Sequence, residues 1–350
     1  MTNKENGQHK DDGDRLFHVA GLLLLTMIGN HIWNRIAPWY HAHDFQIIAM
    51  TSVILTAGIA VIISYAWNTY VERIDYERSI TAASEDAVFL GKDKKGRDVF
   101  LKEQFRTLHA QVIGTTSAGK TESVILPWAI RDVERGSGLL IIDGKADTSF
   151  LNKLYSHIVE NGRKKDFRFF SLAHVANSWV FNPLAAGSPE EVTERVFSSF
   201  KIENEYYRSI QYQMFLSALH ALKAAQIPPS MLMVKKLLTQ TDFLESTLSL
   251  VEQGEEIDAI AGYSKMPPEK RWELTSGLTS TLNQFASGDC AVIFNGDGPR
   301  INFEEALSES QILYFQLPTM LYPVLGEAAG KLTLQSFQAA VANPRSFPGS

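Results

Sequence analysis

Residues 108–121 read LHAQVIGTTSAGKT, and the last eight of them match the pattern G-x-x-x-x-G-K-[ST] in full. An apolar stretch, Leu108–Ile113, precedes the pattern and predicts a strand. The stretch after it, Glu122–Val133, predicts a helix with a kink at Pro127. A strand, a glycine-rich loop and a helix in this order are the setting in which this pattern binds phosphate groups.

The spacing of this loop follows from what a phosphate group needs. Backbone N–H groups of such a loop surround the phosphates, and the positive end of the following helix adds to the attraction. We expect Lys120 to contact the β- and γ-phosphates of a nucleotide and the Thr121 hydroxyl to bind magnesium, and we assign both residues catalytic roles. The predicted nucleotide-binding residues of the loop are Gly114, Thr115, Thr116, Ser117, Ala118, Gly119, Lys120 and Thr121.

A second apolar run supports a parallel sheet. Gly138–Ile142 (GLLII) indicates a buried strand, and Phe167–Leu172 (FRFFSL) a third one. Two strands joined through a helix form a βαβ unit, so we predict an α/β P-loop NTPase with a RecA-like parallel sheet and helices on its faces. Asp143 closes the second strand, where we expect it to support nucleotide and magnesium binding. The alternative is that Asp143 caps the next helix.

Helical periodicity replaces strand signals from Pro189 to about Gly288. This part is predicted to be an all-helical insertion with helices at Glu190–Phe200, Tyr206–Ala225, Pro229–Thr239, Thr241–Gln253 and Pro268–Phe285. The Tyr206-Tyr207-Arg208 cluster either stacks on bases or packs in the core. Strand and helix signals then return at Gln311–Leu317 and Leu325–Ala342.

The first part of the chain carries two apolar runs. Leu16–Trp33 and Phe45–Trp67 are long enough to cross a bilayer and predict a transmembrane hairpin. The alternatives are a signal peptide for the first run, which lacks a good cleavage site, and buried core helices for both. Basic residues are concentrated outside the two runs, which places both ends in the cytoplasm: Lys4, Lys10 and Arg15 come before, Arg73 and Arg78 after, and Arg35 between.

The overall composition excludes several classes of protein, and one further segment predicts a small hairpin. The 350 residues are 45% hydrophobic with a net charge of −6, which excludes general disorder and a globally basic nucleic-acid coat. One cysteine, Cys290, excludes a disulfide framework and a multi-cysteine zinc site. Val88–Leu101 predicts a β-hairpin with a lysine-rich turn, which either touches nucleic acid or is simply solvated.

The order of these parts resembles the type IV coupling proteins of conjugation and type IV secretion (the TraG/TraD class). Four segments carry the resemblance: GTTSAGKTES (114–123), GSGLLIIDGKAD (136–147), VFNPL (180–184) and ILYFQLP (312–318). The corresponding division of the chain is a cytoplasmic tail (1–15), a transmembrane hairpin with a short periplasmic loop (16–70), the first part of the NTPase domain (71–188), the helical insertion (189–288) and a return to the NTPase domain (289–350).

The resemblance implies a function and a location. Proteins of this class are multi-pass ATPases of the bacterial inner membrane that bind ATP with Mg²⁺ and assemble as homohexameric rings. They bring a relaxase–DNA complex, or protein effectors, to the type IV secretion channel. In the family an Asp-Glu pair on an apolar strand follows the helix after the ILYFQLP strand. No such pair follows Leu317 here, so we expect a chain truncated before its hydrolytic acid.

Three other classes of protein compete with the type IV coupling proteins as the interpretation of this sequence. A DNA translocase of the FtsK/HerA type has a related motor but usually more membrane helices and a long linker. A membrane-bound scaffold that does not hydrolyse ATP fits the missing acid. A small GTPase is disfavoured, since Asn152-Lys153 is followed by Leu154-Tyr155 and no Asn-Lys-x-Asp motif occurs.

Overall fold

The computed structural model describes residues 23–38, 45–83, 87–106, 108–115, 118–200, 204–252 and 254–343. The chain divides into two compact units, and the division falls between Asp86 and Ala87.

The N-terminal unit is helical where it is described. Residues 23–38 form helix α1, and helix α2 runs over Phe45–Ala83. Among the described residues one helical segment, Ala49–Tyr70, is long and apolar enough to cross a membrane. Residues 16–22 of the first predicted span lie outside the described part of the chain, so the two-helix hairpin stays a prediction.

The second unit begins with a small hairpin. Strands β1 (Ala87–Lys92) and β2 (Asp98–Lys102) pair in antiparallel fashion, as predicted, and helix α3 (Glu103–Arg106) follows. Ala87 and Val88 are buried. Arg135 donates to the Ala87 carbonyl oxygen at 3.0 Å, which ties the base of the hairpin to the end of helix α4 (Leu126–Glu134).

A three-stranded parallel sheet forms the centre of this unit. Its strands are β3 (Leu139–Asp143), β4 (Phe167–Ser171) and β5 (Ile312–Gln316), and β5 lies between the other two. Every residue of β5 is buried, as expected for the central strand of a sheet covered on both faces. The parallel sheet confirms the predicted α/β class.

Alternate side chains of β5 point into two different cores. Ile312 and Tyr314 pack with α4 and helix α5 (Thr148–Glu160) on one face. Leu313 and Phe315 pack on the other face with the helical part of the chain. Aromatic contacts dominate there, since the rings of Phe170 and Phe315 have centroids 5.1 Å apart.

The segment from residue 189 to residue 288 contains only helices where the structure describes it, as predicted. They are α6 (Pro189–Ser199), α7 (Glu205–Ala224), α8 (Met231–Thr239), α9 (Thr241–Ser249), α10 (Asp258–Ser264) and α11 (Pro268–Ala286). Ser188 and Glu191 form a capping box at the start of α6. Helix α10 is too short to show a clear period in the sequence, and it was not predicted.

The chain then returns to the sheet. Helices α12 (Ala291–Asn295) and α13 (Phe303–Ser308) precede β5, and α14 (Pro323–Ala342) follows it. Before the helical segment, the Asn-Pro-Leu turn is tied to the chain just ahead of α8, because Asn182 accepts from the Leu184 N–H at 3.0 Å and donates to the Pro229 carbonyl oxygen at 2.8 Å.

The predicted strand Leu108–Ile113 is wrong. These residues form no strand, and Ile113 is 83% exposed. A strand needs a neighbour for its backbone groups. No described strand pairs with this segment, although β3 and β4 each have an outer edge without a described partner strand.

Candidate functional site

The loop predicted to bind phosphate winds around the side chain of Lys120. The Lys120 ammonium donates to the carbonyl oxygens of Gly114 and Thr115, at 2.7 Å in each case. The Ala118 N–H donates to the Thr115 carbonyl oxygen at 3.2 Å. The structure thus brings both ends of the predicted loop together at Lys120, while Thr116 and Ser117 lie outside the described residues.

The helix after this loop begins without a side-chain cap. Thr121–Ile125 form a π-helical turn that continues directly into α4, and its N-cap residue, Lys120, makes no side-chain capping hydrogen bond. At the predicted kink, the π-helical turn changes into the α-helical winding of α4, and Pro127 lies in the first turn of α4. An uncapped helix start offers N–H groups and a positive dipole end to an anion.

The groups around this loop suit a nucleoside triphosphate with bound magnesium. A lysine ammonium and a helix start face the same loop, and Thr121 at the first helical position carries the hydroxyl that a hard cation takes as a ligand. The glycine at position 114 leaves room for the Lys120 side chain inside the loop, since a Cβ on Gly114 would lie 3.3 Å from Cγ of Lys120. The residues present therefore fit the group that the motif implies.

Gly119 adopts φ +74°, a left-handed conformation that costs other residues about 1–2 kcal/mol. We expect Gly119→Ala to lower the free energy of unfolding by about that amount and to weaken nucleotide binding, because the loop must change shape. Urea unfolding and nucleotide titration measure the two effects. Gly262→Ala in α10 is the matched control, because nothing lies within 4 Å of a Cβ there and its φ is not positive. A loss of stability at Gly262 as large as at Gly119 would contradict the argument.

The carboxylate of Asp143 is held by three donors. Its Oδ1 accepts from the Lys145 N–H at 2.9 Å, and its Oδ2 accepts from the Asp147 N–H at 2.7 Å and the Tyr314 hydroxyl at 2.8 Å. The alternative role as a helix cap is wrong, since Asp147 accepts from the N–H groups of Ser149 and Phe150 at the start of α5. A place for Asp143 in nucleotide binding stays a prediction.

Two polar residues beside Asp143 were missed by the sequence analysis. Gln316 pairs in register with both Asp143 and Ser171, so the three strands end in a row of polar side chains at one edge of the sheet. The Ser171 hydroxyl donates to Oε1 of Gln316 at 2.7 Å. The available signal was that each of the three apolar strands closes on one polar residue.

Tyr314 links this edge to the core. Burial, and after it the hydrogen bond to Asp143, raises the pKa of the Tyr314 hydroxyl. A folded-state pKa above the unfolded value means that the folded protein holds this proton more tightly. The bound proton therefore contributes its full share to the free energy of unfolding below about pH 10, and this contribution is lost as the pH rises above that value. We expect the free energy of unfolding to fall more steeply there in the parent than in Tyr314→Phe, by about 1.4 kcal/mol per pH unit. Urea unfolding at a series of alkaline pH values checks this, and identical slopes would refute it.

The aromatic cluster at the start of α7 divides between surface and core. Tyr206 is 68% exposed, and its ring meets that of Tyr207 edge to face at 5.4 Å. Arg208 instead packs over Phe197 and donates to its carbonyl oxygen at 2.9 Å. Core packing, the alternative considered for the whole cluster, therefore applies to Arg208 and not to Tyr206.

Structural comparison gives matches to the bacterial conjugative coupling protein TrwB. An unbound form of TrwB lacking its first 70 residues aligns with a TM-score of 0.49 and 11% identity, covering 75% of this chain and 57% of TrwB. TrwB in complex with ADP and Mg²⁺ aligns with a TM-score of 0.35 and 14% identity, covering 74% of this chain and 62% of TrwB. No model of a known protein family matches the chain.

Sequence comparison gives a match to the type 4 coupling protein DotL of Legionella pneumophila. The two are 29% identical over 121 residues, which is 31% of this chain and 15% of DotL. The chain therefore corresponds to a minor part of the length of this relative. The match is to a protein of the class that the sequence motifs resemble, and it confirms that resemblance.

Proposed function

We propose that this protein is a membrane-anchored, ATP-binding coupling protein that brings DNA, as a relaxase–DNA complex, or protein effectors to a type IV secretion channel. The observation that carries the proposal is the match to DotL, a coupling protein, in a chain whose loop geometry suits a nucleotide. The proposal includes assembly as a homo-oligomer, a hexameric ring as implied by the resemblance.

The roles of the residues follow from their chemistry. Lys120 supplies a positive charge for the phosphates once its ammonium leaves the carbonyl oxygens of Gly114 and Thr115. Thr121 offers a hydroxyl ligand to Mg²⁺, and the helix start after the loop offers N–H groups. Bound ATP would supply the free energy for substrate movement. Asp143, held by Tyr314 and the turn after β3, supplies a fixed negative charge at the end of that strand.

Membrane anchoring rests on the first unit. The segment Ala49–Tyr70 is uncharged and its side chains are exposed, so it suits a lipid environment. We propose an inner-membrane location, with two spans and both ends in the cytoplasm, from the lysine and arginine distribution. Alkaline phosphatase fused at Ala42 should be active and at Ser84 inactive. Activity at Ser84 would reverse the orientation.

A transfer assay tests the function as a whole. In cells that depend on this protein, Lys120→Ala should abolish delivery of the DNA or effector substrate while the protein remains in the membrane fraction. Lys331→Ala, which removes an exposed lysine paired with Glu327, should leave delivery unchanged. Unimpaired delivery in the Lys120 variant would remove nucleotide binding from the proposed function.

The FtsK/HerA-type translocase and the non-hydrolysing scaffold predict different results in vitro. Phosphate release by the full chain in nanodiscs, with the Lys120→Ala variant as the blank, separates an ATPase from a scaffold. Stimulation by any double-stranded DNA, without a relaxase, favours the translocase. Release above the blank together with capture of a relaxase–DNA complex or an effector favours the coupling protein.

A further inference from the structure

We propose that the tip of the β1–β2 hairpin is a second, peripheral membrane contact that binds anionic lipid headgroups. The hairpin, Ala87–Lys102, holds five basic and two acidic residues, a net charge of +3 within a chain whose net charge is −6. This proposal rests on the membrane anchoring proposed above, and its test distinguishes the failure of either.

The two ion pairs of the hairpin leave three lysines uncompensated, and two of them, Lys94 and Lys95, lie at its apex. Asp98 pairs with Lys92 at 2.5 Å, and Asp93 pairs with Nε of Arg97 at 2.8 Å. Asp93 also accepts from the backbone N–H groups of Lys95 and Arg97, which fixes the turn. The side chains of Lys94 and Lys95 are exposed at the apex of this fixed turn and contact no acidic side chain in the described part of the chain.

Apolar side chains lie directly behind these lysines. Phe89, Leu90 and Val99 are 46%, 39% and 39% exposed. Phe89 faces Phe100 across the two strands with ring centroids 5.7 Å apart, and Val99 is paired with Gly91. The buried residues of the hairpin are at its base, next to α4, so the basic and apolar tip is left outside the core.

This combination favours a lipid surface. Peripheral binding to membranes increases with the apolar area that enters the headgroup region and with attraction to anionic lipids, and the tip offers both. A nucleic acid would use the lysines but would leave Phe89, Leu90 and Val99 uncovered, which makes it the weaker alternative.

Because the hairpin is joined covalently to the candidate span, a weak affinity for lipid is enough to keep its tip on the bilayer. Ala87 follows Tyr70, the last residue of the candidate span, by 17 residues, so a short stretch of chain joins the hairpin to the span. A tether of this length raises the effective concentration of the bilayer surface at the hairpin. The side on which the hairpin emerges is the predicted cytoplasmic one, where anionic lipids attract basic segments.

The experiment uses the full chain in nanodiscs made of phosphatidylcholine alone or mixed with phosphatidylglycerol. An environment-sensitive fluorophore is attached at Leu90→Cys, and the parent chain reports any labelling of the buried Cys290. We expect a blue-shifted emission, quenched by spin-labelled lipid, with phosphatidylglycerol and its reversal by added salt. Lys94→Glu with Lys95→Glu should lower the ratio of bound to free hairpin by at least about 25-fold, since the loss of each lysine alone accounts for about five-fold.

A matched control carries the same charge change elsewhere. Lys164→Glu with Lys165→Glu alters two adjacent exposed lysines in the turn between α5 and β4, and it should leave the emission unchanged. An equal loss in this control, or no lipid response from a chain that is incorporated in the nanodiscs, would overturn the hairpin contact. A chain that does not enter nanodiscs at all would overturn the anchoring itself. A response to single-stranded DNA in neutral nanodiscs, with the same dependence on Lys94 and Lys95, would assign the tip to nucleic acid instead.

Discussion

Replacing Lys120 by alanine is expected to weaken the binding of Mg-ATP by about 10- to 100-fold, because a hydrogen bond to a charged group contributes about 1.5–3 kcal/mol. The ammonium of Lys120 is the cation that the structure places inside the loop, between Gly114 and Thr115. Isothermal titration of the full chain in detergent or nanodiscs measures the effect.

The fold of this variant should remain intact. The carbonyl oxygens that Lys120 contacts belong to exposed residues, so water replaces the ammonium and circular dichroism should show the same helix content. Lys331→Ala is the matched control for the loss of one lysine and should bind Mg-ATP like the parent. Equal affinity in the parent and the Lys120 variant would show that the loop is not the nucleotide site.

Removing Arg106 is expected to lower the free energy of unfolding by about 3–5 kcal/mol, the usual cost of leaving one partner of a buried ion pair alone. Arg106 donates to both carboxylate oxygens of Asp132, at 2.7 and 2.6 Å, and the two side chains are 17% and 12% exposed. The hydrogen bond to Asp132 raises the pKa of Arg106, so the guanidinium stays charged. Urea unfolding of Arg106→Ala, followed by tryptophan fluorescence, measures the loss.

Two further variants separate the ion pair from other effects. Arg131→Ala removes a more exposed arginine, next to Asp132 in α4, whose contact with Glu134 is 3.4 Å long, and should cost less than about 1 kcal/mol. Arg106→Met with Asp132→Leu replaces both partners by apolar residues and should restore most of the stability. A double variant as unstable as Arg106→Ala would mean that the arginine acts through its other contacts, with the Glu103 carboxylate at 2.7 Å and with Trp128 at 5.5 Å from the ring centroid, rather than through the pair.

The helices and the central strands were predictable because their signals are local. The capping residue Ser188 and the spacing of Val192 and Val196 lie within one helix. Strand β5 begins with an uninterrupted apolar run, Ile312–Phe315, which is typical of a strand buried on both faces. The left-handed position in the loop at Lys120 is also local, since it falls on a glycine, Gly119.

The features that the sequence did not predict depend on contacts between distant parts of the chain. Leu108–Ile113 has the composition of a strand but no described strand beside it, and a sequence does not reveal which edges of a sheet are free. The hydrogen bond between Tyr314 and Asp143 joins residues 171 positions apart. The exposure of Tyr206 depends on which face of α7 the other helices cover.

The sequence by itself determined the α/β class and the apolar segment before residue 87, and it predicts the phosphate-binding loop and the helical insertion, because each depends on residue types at fixed short spacings. The tertiary structure decided that β5 lies between β3 and β4, and it thereby aligned Asp143, Gln316 and Ser171 at one edge. It also buried the pair of Arg106 and Asp132 and left the hairpin tip exposed. Strand order and burial follow from the packing of the whole chain, in which the free energy of each contact depends on partners far away in the sequence.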